Sequence, residues 1–118
     1  MFLDNKNPKI SVLLTIYNNQ ATIEKCLNSI INQDMDEFEL ICIDDGSRDR
    51  SLDILLIFAE KYDNISVHIQ EEHLGIAKTR NNLLNMASGQ FVVFIDAKDW
   101  YPAKDILSTL YKNAQKKK

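Results

Sequence analysis

A short apolar run, Phe38-Glu39-Leu40-Ile41-Cys42-Ile43, stops at two carboxylates, a glycine and a hydroxyl, Asp44-Asp45-Gly46-Ser47. The run is too short for a helix and is bounded by a turn signal, so it reads as a buried strand. In a parallel α/β sheet, ligands bind outside the carboxyl ends of the strands. Asp44, Asp45, Gly46 and Ser47 are therefore expected at the rim of such a sheet. Two adjacent acids there are costly unless a cation or a hydrogen-bond donor meets them. This stretch reads as the floor of a ligand site, and it organises the rest of the chain.

The remaining segments supply the other elements. Ile10-Ser11-Val12-Leu13-Leu14-Thr15 reads as a first strand buried on both faces, ending in the polar turn Ile16-Tyr17-Asn18-Asn19. Ile23, Cys26, Leu27, Ile30 and Ile31 recur at helical spacing up to about Gln33. After Gly46, Asp49 is an expected N-cap for a helix with Leu52, Leu55, Leu56 and Ala59 on one face. Ile65-Ser66-Val67-His68-Ile69 alternates like a strand nearer a sheet edge. A third helix is expected from about Ile76 to Ala87, with Ile76, Leu83, Leu84 and Ala87 as its stripe and Ser88-Gly89 as its stop. Phe91-Val92-Val93-Phe94-Ile95 is fully apolar and so expected to be a central strand, ending at Asp96-Ala97-Lys98-Asp99. Pro102 is expected to start a last helix carrying Leu107, Leu110, Tyr111 and Ala114. Strands alternating with helices predict an α/β fold. It is a Rossmann-like parallel sheet of about four strands, with right-handed crossovers and helices on both faces.

Bulk properties bound the function. The chain has 118 residues, enough for one domain and too few for two. A net charge of −3 argues against nucleic acid as a partner. No apolar run is long enough to span a bilayer, and Met1-Phe2-Leu3-Asp4-Asn5 lacks a signal-peptide pattern. Cys26 and Cys42 fall within apolar patterns and read as reduced core residues of a cytoplasmic protein. Gly46, Gly75 and Gly89 are the only glycines, and no G-x-G-x-x-G follows the first strand, which excludes a dinucleotide fingerprint. A receiver-type phosphoacceptor domain needs its acid pair after the first strand, which here ends at Thr15.

Three strand ends converge on one sheet edge: Thr15-Ile16-Tyr17, Asp44-Asp45-Gly46-Ser47 and Asp96-Ala97-Lys98-Asp99. Aromatic ring, hydroxyls and carboxylates are the ingredients of a nucleotide site. A ring supports a base by stacking, a carboxylate accepts from a base N–H, and further carboxylates hold Mg²⁺ or Mn²⁺ against phosphates. Arg80, in Lys78-Thr79-Arg80-Asn81, is a cation suited to phosphate. Taken singly, Tyr17 reads as packing and Arg80 as a surface residue. His68 and His73 read as strand-face and loop residues without metal-ligand spacing. Trp100 and Tyr101 read as core closure or pocket wall.

Taken together, these segments resemble the inverting glycosyltransferases of family 2, with the GT-A fold. The resemblance runs through Ile10–Asn18, Ile23–Ile30, Asn32-Gln33, Phe38–Ser47, Gly75, Ala77, Arg80, Asn81 and Ser88–Asp96, in order and at the right spacing. It implies a nucleotide-sugar-binding half spanning residues 1–118, without the acceptor-binding half. It implies that Thr15 and Tyr17 frame the base, that Asp45 binds it, and that Asp44 shapes the turn. Arg80 is implied to contact base or phosphate, and Asp96 to lie near the ribose and the metal. The donor implied is a nucleoside diphosphate sugar, with UDP-sugar favoured. The acceptor implied is a glycan, lipid or protein, with cell-surface polysaccharide synthesis as the setting. A lipid-bound acceptor implies peripheral association at the inner face of the membrane.

Two departures set limits. The family's metal motif reads Asp-x-Asp, and Lys98 stands where its second Asp is usual. An ammonium cannot ligate a divalent cation and repels one. Two readings therefore stay open: Mg²⁺ or Mn²⁺ held through Asp96, or Lys98 neutralising the diphosphate directly. The second departure is length: a family member needs a further segment for acceptor binding and for the catalytic base, and no residue here can be nominated as that base. The alternative function is a truncated or degenerate domain that binds nucleotide or a partner chain without turnover. With the acceptor half missing, apolar surface around the fourth strand and last helix is expected to be covered by self-association, as a homo-oligomer, or to leave the domain marginal.

Overall fold

The structure is a computed structural model and describes residues 7–117. Residues 1–6, which include the Met1-Phe2-Leu3-Asp4-Asn5 stretch, and Lys118 lie outside the described residues. Eight elements alternate as expected: β1 (Ile10–Ile16), α1 (Ile23–Ile31), β2 (Phe38–Asp44), α2 (Ser51–Lys61), β3 (Ile65–Ile69), α3 (Ile76–Met86), β4 (Phe91–Asp96) and α4 (Ile106–Lys116). The strands form one parallel sheet in the order β3-β2-β1-β4. The chain steps outward from β1 to β3, then crosses back to the other side of β1. Because each crossover is right-handed, that reversal puts the β3-to-β4 helix on the opposite face from α1 and α2.

Two cores record the two faces. Val12, Leu14, Ile16, Leu40 and Cys42 pack with Ile23, Cys26, Leu27 and Ile30 of α1, Leu55 of α2, and Leu107 and Tyr111 of α4. On the other face, Leu13, Ile41 and Ile43 form a smaller cluster with Leu83 of α3, with Ala87 beside it. Every residue of β1 is buried, as its position between β2 and β4 requires.

The structure corrects several local expectations. β4 is an edge strand of this sheet, not a central one, and Val92 and Phe94 are 41% and 37% exposed. Its apolar character therefore does not reflect cover within the described residues. On α2, Leu56 is exposed, and the inward face runs through Ser51, Leu55 and the partly buried Ile54 and Phe58. On α3, Ile76 and Leu84 are exposed, and the buried stripe is Thr79 and Leu83. Asp49 caps α2 from one residue before the N-cap Arg50, accepting from the Ser51 N–H at 2.9 Å.

Pro102 does not start α4, which begins four residues later, and Leu110 is exposed. The segment between is tethered by a residue that the helical pattern left at the end of α1. Gln33, 7% exposed, donates to the Ala103 carbonyl (2.7 Å) and accepts from the Leu107 N–H (3.0 Å). Its amide thus satisfies a first-turn N–H of α4 that has no intrahelical partner. Gln33→Ala is expected to cost about 2 kcal/mol, because the buried Leu107 N–H loses its acceptor and the Ala103 carbonyl its donor. Urea unfolding followed by far-ultraviolet circular dichroism measures this, and an unchanged midpoint would refute the tether.

Cys26 and Cys42 are both free and buried. Burial pushes the Cys26 thiol up to about 12, helped by the nearby Asp96 and Asp99 carboxylates, and pushes Cys42 up as well. Both behave as small core residues.

Candidate functional site

The carboxyl ends of β1, β2 and β4 open on one edge, at the point where strand order reverses. Register places Thr15 beside Asp96 and Ile16 beside Asp44. A cleft of about 350 Å³ lies there, lined by Thr15, Tyr17, Asn19, Asp45, His73, Ile76, Thr79 and Asp96, among others. That is within the size range of small-molecule sites, at the location expected for an open α/β sheet.

Two loops form the floor by binding each other. Asn18, held at φ 53°, accepts from the Arg48 N–H through its side chain, while its own N–H donates to Ser47 Oγ. The Asn19 N–H donates to Ser51 Oγ and the Gln20 N–H to Asp49 Oδ2; Gln20 Oε1 accepts from the Arg50 N–H. Asn and Asp suit this exchange because their short side chains bond nearby backbone and tolerate left-handed φ. The β1–α1 and β2–α2 turns are thereby locked side by side.

Asp44 and Asp45 diverge in role. Asp44 is buried, and its Oδ2 accepts from the Ser47 N–H at 3.1 Å, closing the Gly46 turn. It does not line the cleft. Asp45 does, at 3% exposure, and it is met by four donors. Its Oδ1 accepts from Gln70 Nε2 and the Leu74 N–H, both at 2.7 Å, and its Oδ2 accepts from the Gly75 N–H at 3.0 Å and faces His73 Nδ1 at 2.9 Å. Burial alone would raise the Asp45 pKa. The Leu74 and Gly75 N–H groups, the Gln70 amide and the His73 ring outweigh that and hold the carboxyl below its ordinary value. Gly75 reaches Asp45 at φ +94°, ψ 165°, a conformation open essentially to glycine alone. Gln70 is fixed in turn, since Nε2 also donates to Thr79 Oγ1 and Oε1 accepts from Asn82 Nδ2.

The other candidates occupy distinct places. Tyr17 stands on the cleft wall with its ring stacked on His73, centroids 3.8 Å apart. Asp96 is half-buried, its carbonyl accepting from the Asp99 N–H and its Oδ1 from the Lys98 N–H. Lys98 is exposed and does not line the cleft. Arg80 also lies outside the lining residues, its guanidinium 5.2 Å from the Phe94 ring centroid. The structure therefore brings Thr15, Tyr17, Asp45 and Asp96 together and leaves Asp44, Arg80 and Lys98 around them.

Sequence reasoning missed Gln70, His73 and Thr79. In sequence His73 reads as a loop residue, since nothing in its spacing links it to Asp45 twenty-eight positions earlier. Thr79 had a signal, because it shares a helix face with Leu83, but a buried hydroxyl reads as packing.

Mg²⁺ or Mn²⁺ asks for carboxylate and phosphate oxygens. Among the described residues, no group of three His, Cys, Asp or Glu gathers to hold a metal ion. The cleft offers Asp96, with an exposed ammonium at Lys98. Asp96 alone of this pair is a carboxylate that an ion completed by phosphate oxygens would use, and the Lys98 ammonium opposes it.

Comparisons with known proteins bear on the whole chain. The family described as Glycosyl transferase family 2 matches residues 11–118. Glycosyltransferase GlyA of Streptococcus pneumoniae is 39% identical over 104 residues, which is 88% of this chain and 15% of that one. A poly(ribitol-phosphate) beta-glucosyltransferase of Bacillus spizizenii is 36% identical, over 84% of this chain and 16% of its own. The crystal structure of S. aureus TarS 1-349 in complex with UDP-GlcNAc superposes with a TM-score of 0.84 at 34% identity, covering 92% of this chain and 31% of that one. The mannosyltransferase PcManGT of Pyrobaculum calidifontis, in complex with GDP-Man and Mn²⁺, gives 0.80 at 29% identity, covering 88% and 31%. This chain thus spans under a third of each of these proteins. No helix among the described residues is long and apolar enough to cross a membrane.

Proposed function

The chain belongs to glycosyl transferase family 2, and from that premise we propose that its cleft is a donor site for a nucleoside diphosphate sugar, with UDP-sugar favoured. The sugar passes to a glycan, lipid or protein acceptor, in the setting of cell-surface polysaccharide synthesis on the cytoplasmic side. The observation that carries this is the gathering of Thr15, Tyr17, Asp45 and Asp96 at the strand-order reversal. Thr15 and Tyr17 frame the base, and Asp45, kept ionised and stripped of water, accepts from a base N–H. Asp96 lies toward the ribose and diphosphate, with Lys98 and Arg80 as the outer cations that meet phosphate charge.

In the reaction, an acceptor hydroxyl attacks the anomeric carbon in line. The bond from that carbon to the diphosphate oxygen breaks as the new glycosidic bond forms. The hydroxyl proton goes to a base that we assign to no described residue. A divalent ion, where bound, stabilises the departing diphosphate, and Asp96 is the carboxylate that would hold it. Lys98 weakens that contribution by repelling the ion. It also favours a second reading, nucleotide binding without turnover.

Calorimetric titration with UDP tests the proposal. Mn²⁺ alone should give no binding heat. Mn²⁺ should strengthen UDP binding by on the order of tenfold, about 1.4 kcal/mol, and Asp96→Asn should remove that gain. Failure to bind UDP, GDP and dTDP alike would overturn the donor-site reading.

A further inference from the structure

His73 makes two contacts at once. Its ring stacks on Tyr17 with centroids 3.8 Å apart and planes 27° from parallel. Its Nδ1 lies 2.9 Å from Asp45 Oδ2 and 3.2 Å from the Asp45 carbonyl. Both neighbours of Nδ1 are acceptors, so Nδ1 carries the proton and donates. A flat ring stacked on Tyr17 with an N–H directed at Asp45 is also the pair of contacts a nucleobase would make in this cleft. The two cannot coexist on the same tyrosine face. Inserting a base between two rings needs about 7 Å, twice a carbon–carbon contact distance, and the rings stand 3.8 Å apart.

We propose that His73 is an internal stand-in for the nucleobase, holding the base position in the nucleotide-free protein and leaving it when nucleotide binds. This rests on the donor-site reading above. The imidazole also gives Asp45 Oδ2 a second donor beside the Gly75 N–H, and a base N–H would later take the lone pair that the imidazole leaves. Only the side chain has to move. The Leu74 and Gly75 N–H groups hold the loop on Asp45 independently of the ring. The His73 side chain is 50% exposed, so rotation carries it into solvent. Nucleotide affinity is then lowered by the fraction of time the ring is in place.

The test is UDP titration of the wild-type chain, His73→Ala and His73→Phe. With the stand-in seated about nine-tenths of the time, His73→Ala should bind UDP about tenfold more tightly. His73→Phe, which keeps a ring for Tyr17, should show no such gain. In the wild type, His73 ring-proton resonances shifted by the tyrosine should return to ordinary positions on saturation with UDP. If UDP binds the wild type and His73→Ala binds it equally or more weakly, His73 is a wall of the site and the stand-in is wrong, while the donor-site reading survives. If neither protein binds UDP, GDP or dTDP, both proposals fall.

Discussion

Asp45→Ala is expected to reduce UDP binding at least a hundredfold and to destabilise the fold by about 3 kcal/mol. Four donors converge on this one side chain, two of them backbone N–H groups of the segment that leads into α3. Removing it takes the acceptor from the part-buried Leu74 and Gly75 N–H groups and leaves Gln70 Nε2 with Thr79 Oγ1 alone, at about 1–3 kcal/mol for each group that stays unpaired. His73 is half-exposed and can turn to solvent, which limits the total. On the proposed donor-site reading, binding suffers more than folding, because the base would lose its acceptor and the segment carrying Gln70, His73 and Gly75 loses its anchor. Calorimetry with UDP and urea unfolding measure the two effects separately. A folded Asp45→Ala protein with wild-type affinity would remove Asp45 from the site.

Acid should reveal the same residue. The folded-state pKa of Asp45 lies below its ordinary value. Its stabilising contribution is therefore complete above the unfolded carboxylate pKa of about 3.9 and is lost as pH falls through the folded value. The stability gap between wild type and Asp45→Ala should narrow below about pH 4. A gap that stays constant on acidification would contradict the hydrogen-bonded carboxylate.

Gly89→Ala is expected to cost about 3 kcal/mol, the upper end of the range for overpacking a tight interior, although alanine is the smallest addition available. A Cβ at Gly89 would stand 2.6 Å from the Ser11 nitrogen, 2.7 Å from Ser11 Oγ and 2.9 Å from the Ile10 carbonyl carbon. Two of these are backbone atoms of β1, the innermost fully buried strand, and cannot yield. The contact is close because the turn into β4 is bonded to its neighbours: the Gly89 N–H donates to Ser11 Oγ, and the Ser88 N–H and hydroxyl donate to Glu39 Oε2, which also receives Ser11 Oγ–H. Moving the turn would break that cluster and shift β4 against β1. Since Asp96 sits at the far end of β4, UDP affinity should fall together with stability. An unfolding midpoint within error of wild type would show that the turn can retreat without cost.

Much of the site was legible because its residues follow directly from strand ends. Thr15, Asp45 and Asp96 sit where apolar runs give way to polar residues, and a parallel sheet brings such points to one edge. Arg80 was harder to place, since helical phase fixes which side of α3 it occupies but not what faces it; in the structure that neighbour is Phe94. The edge position of β4 was misread for a related reason. An apolar run reports how much cover a strand is suited to, and not which neighbours it has.

The sequence by itself determined the order of elements, the parallel sheet, and the carboxylates at its rim, because local periodicity and turn residues act within a dozen positions. Only the tertiary structure decided which of the two adjacent acids faces the cleft. Strand pleat sends Asp44 inward to its own turn, and the Gly46 turn carries Asp45 to the loop from Gln70 to Gly75. It alone decided that His73 covers Tyr17 and that Gln33 anchors the entry to α4. Those contacts join residues separated by tens of positions, and they exist only once the sheet has fixed where each loop ends.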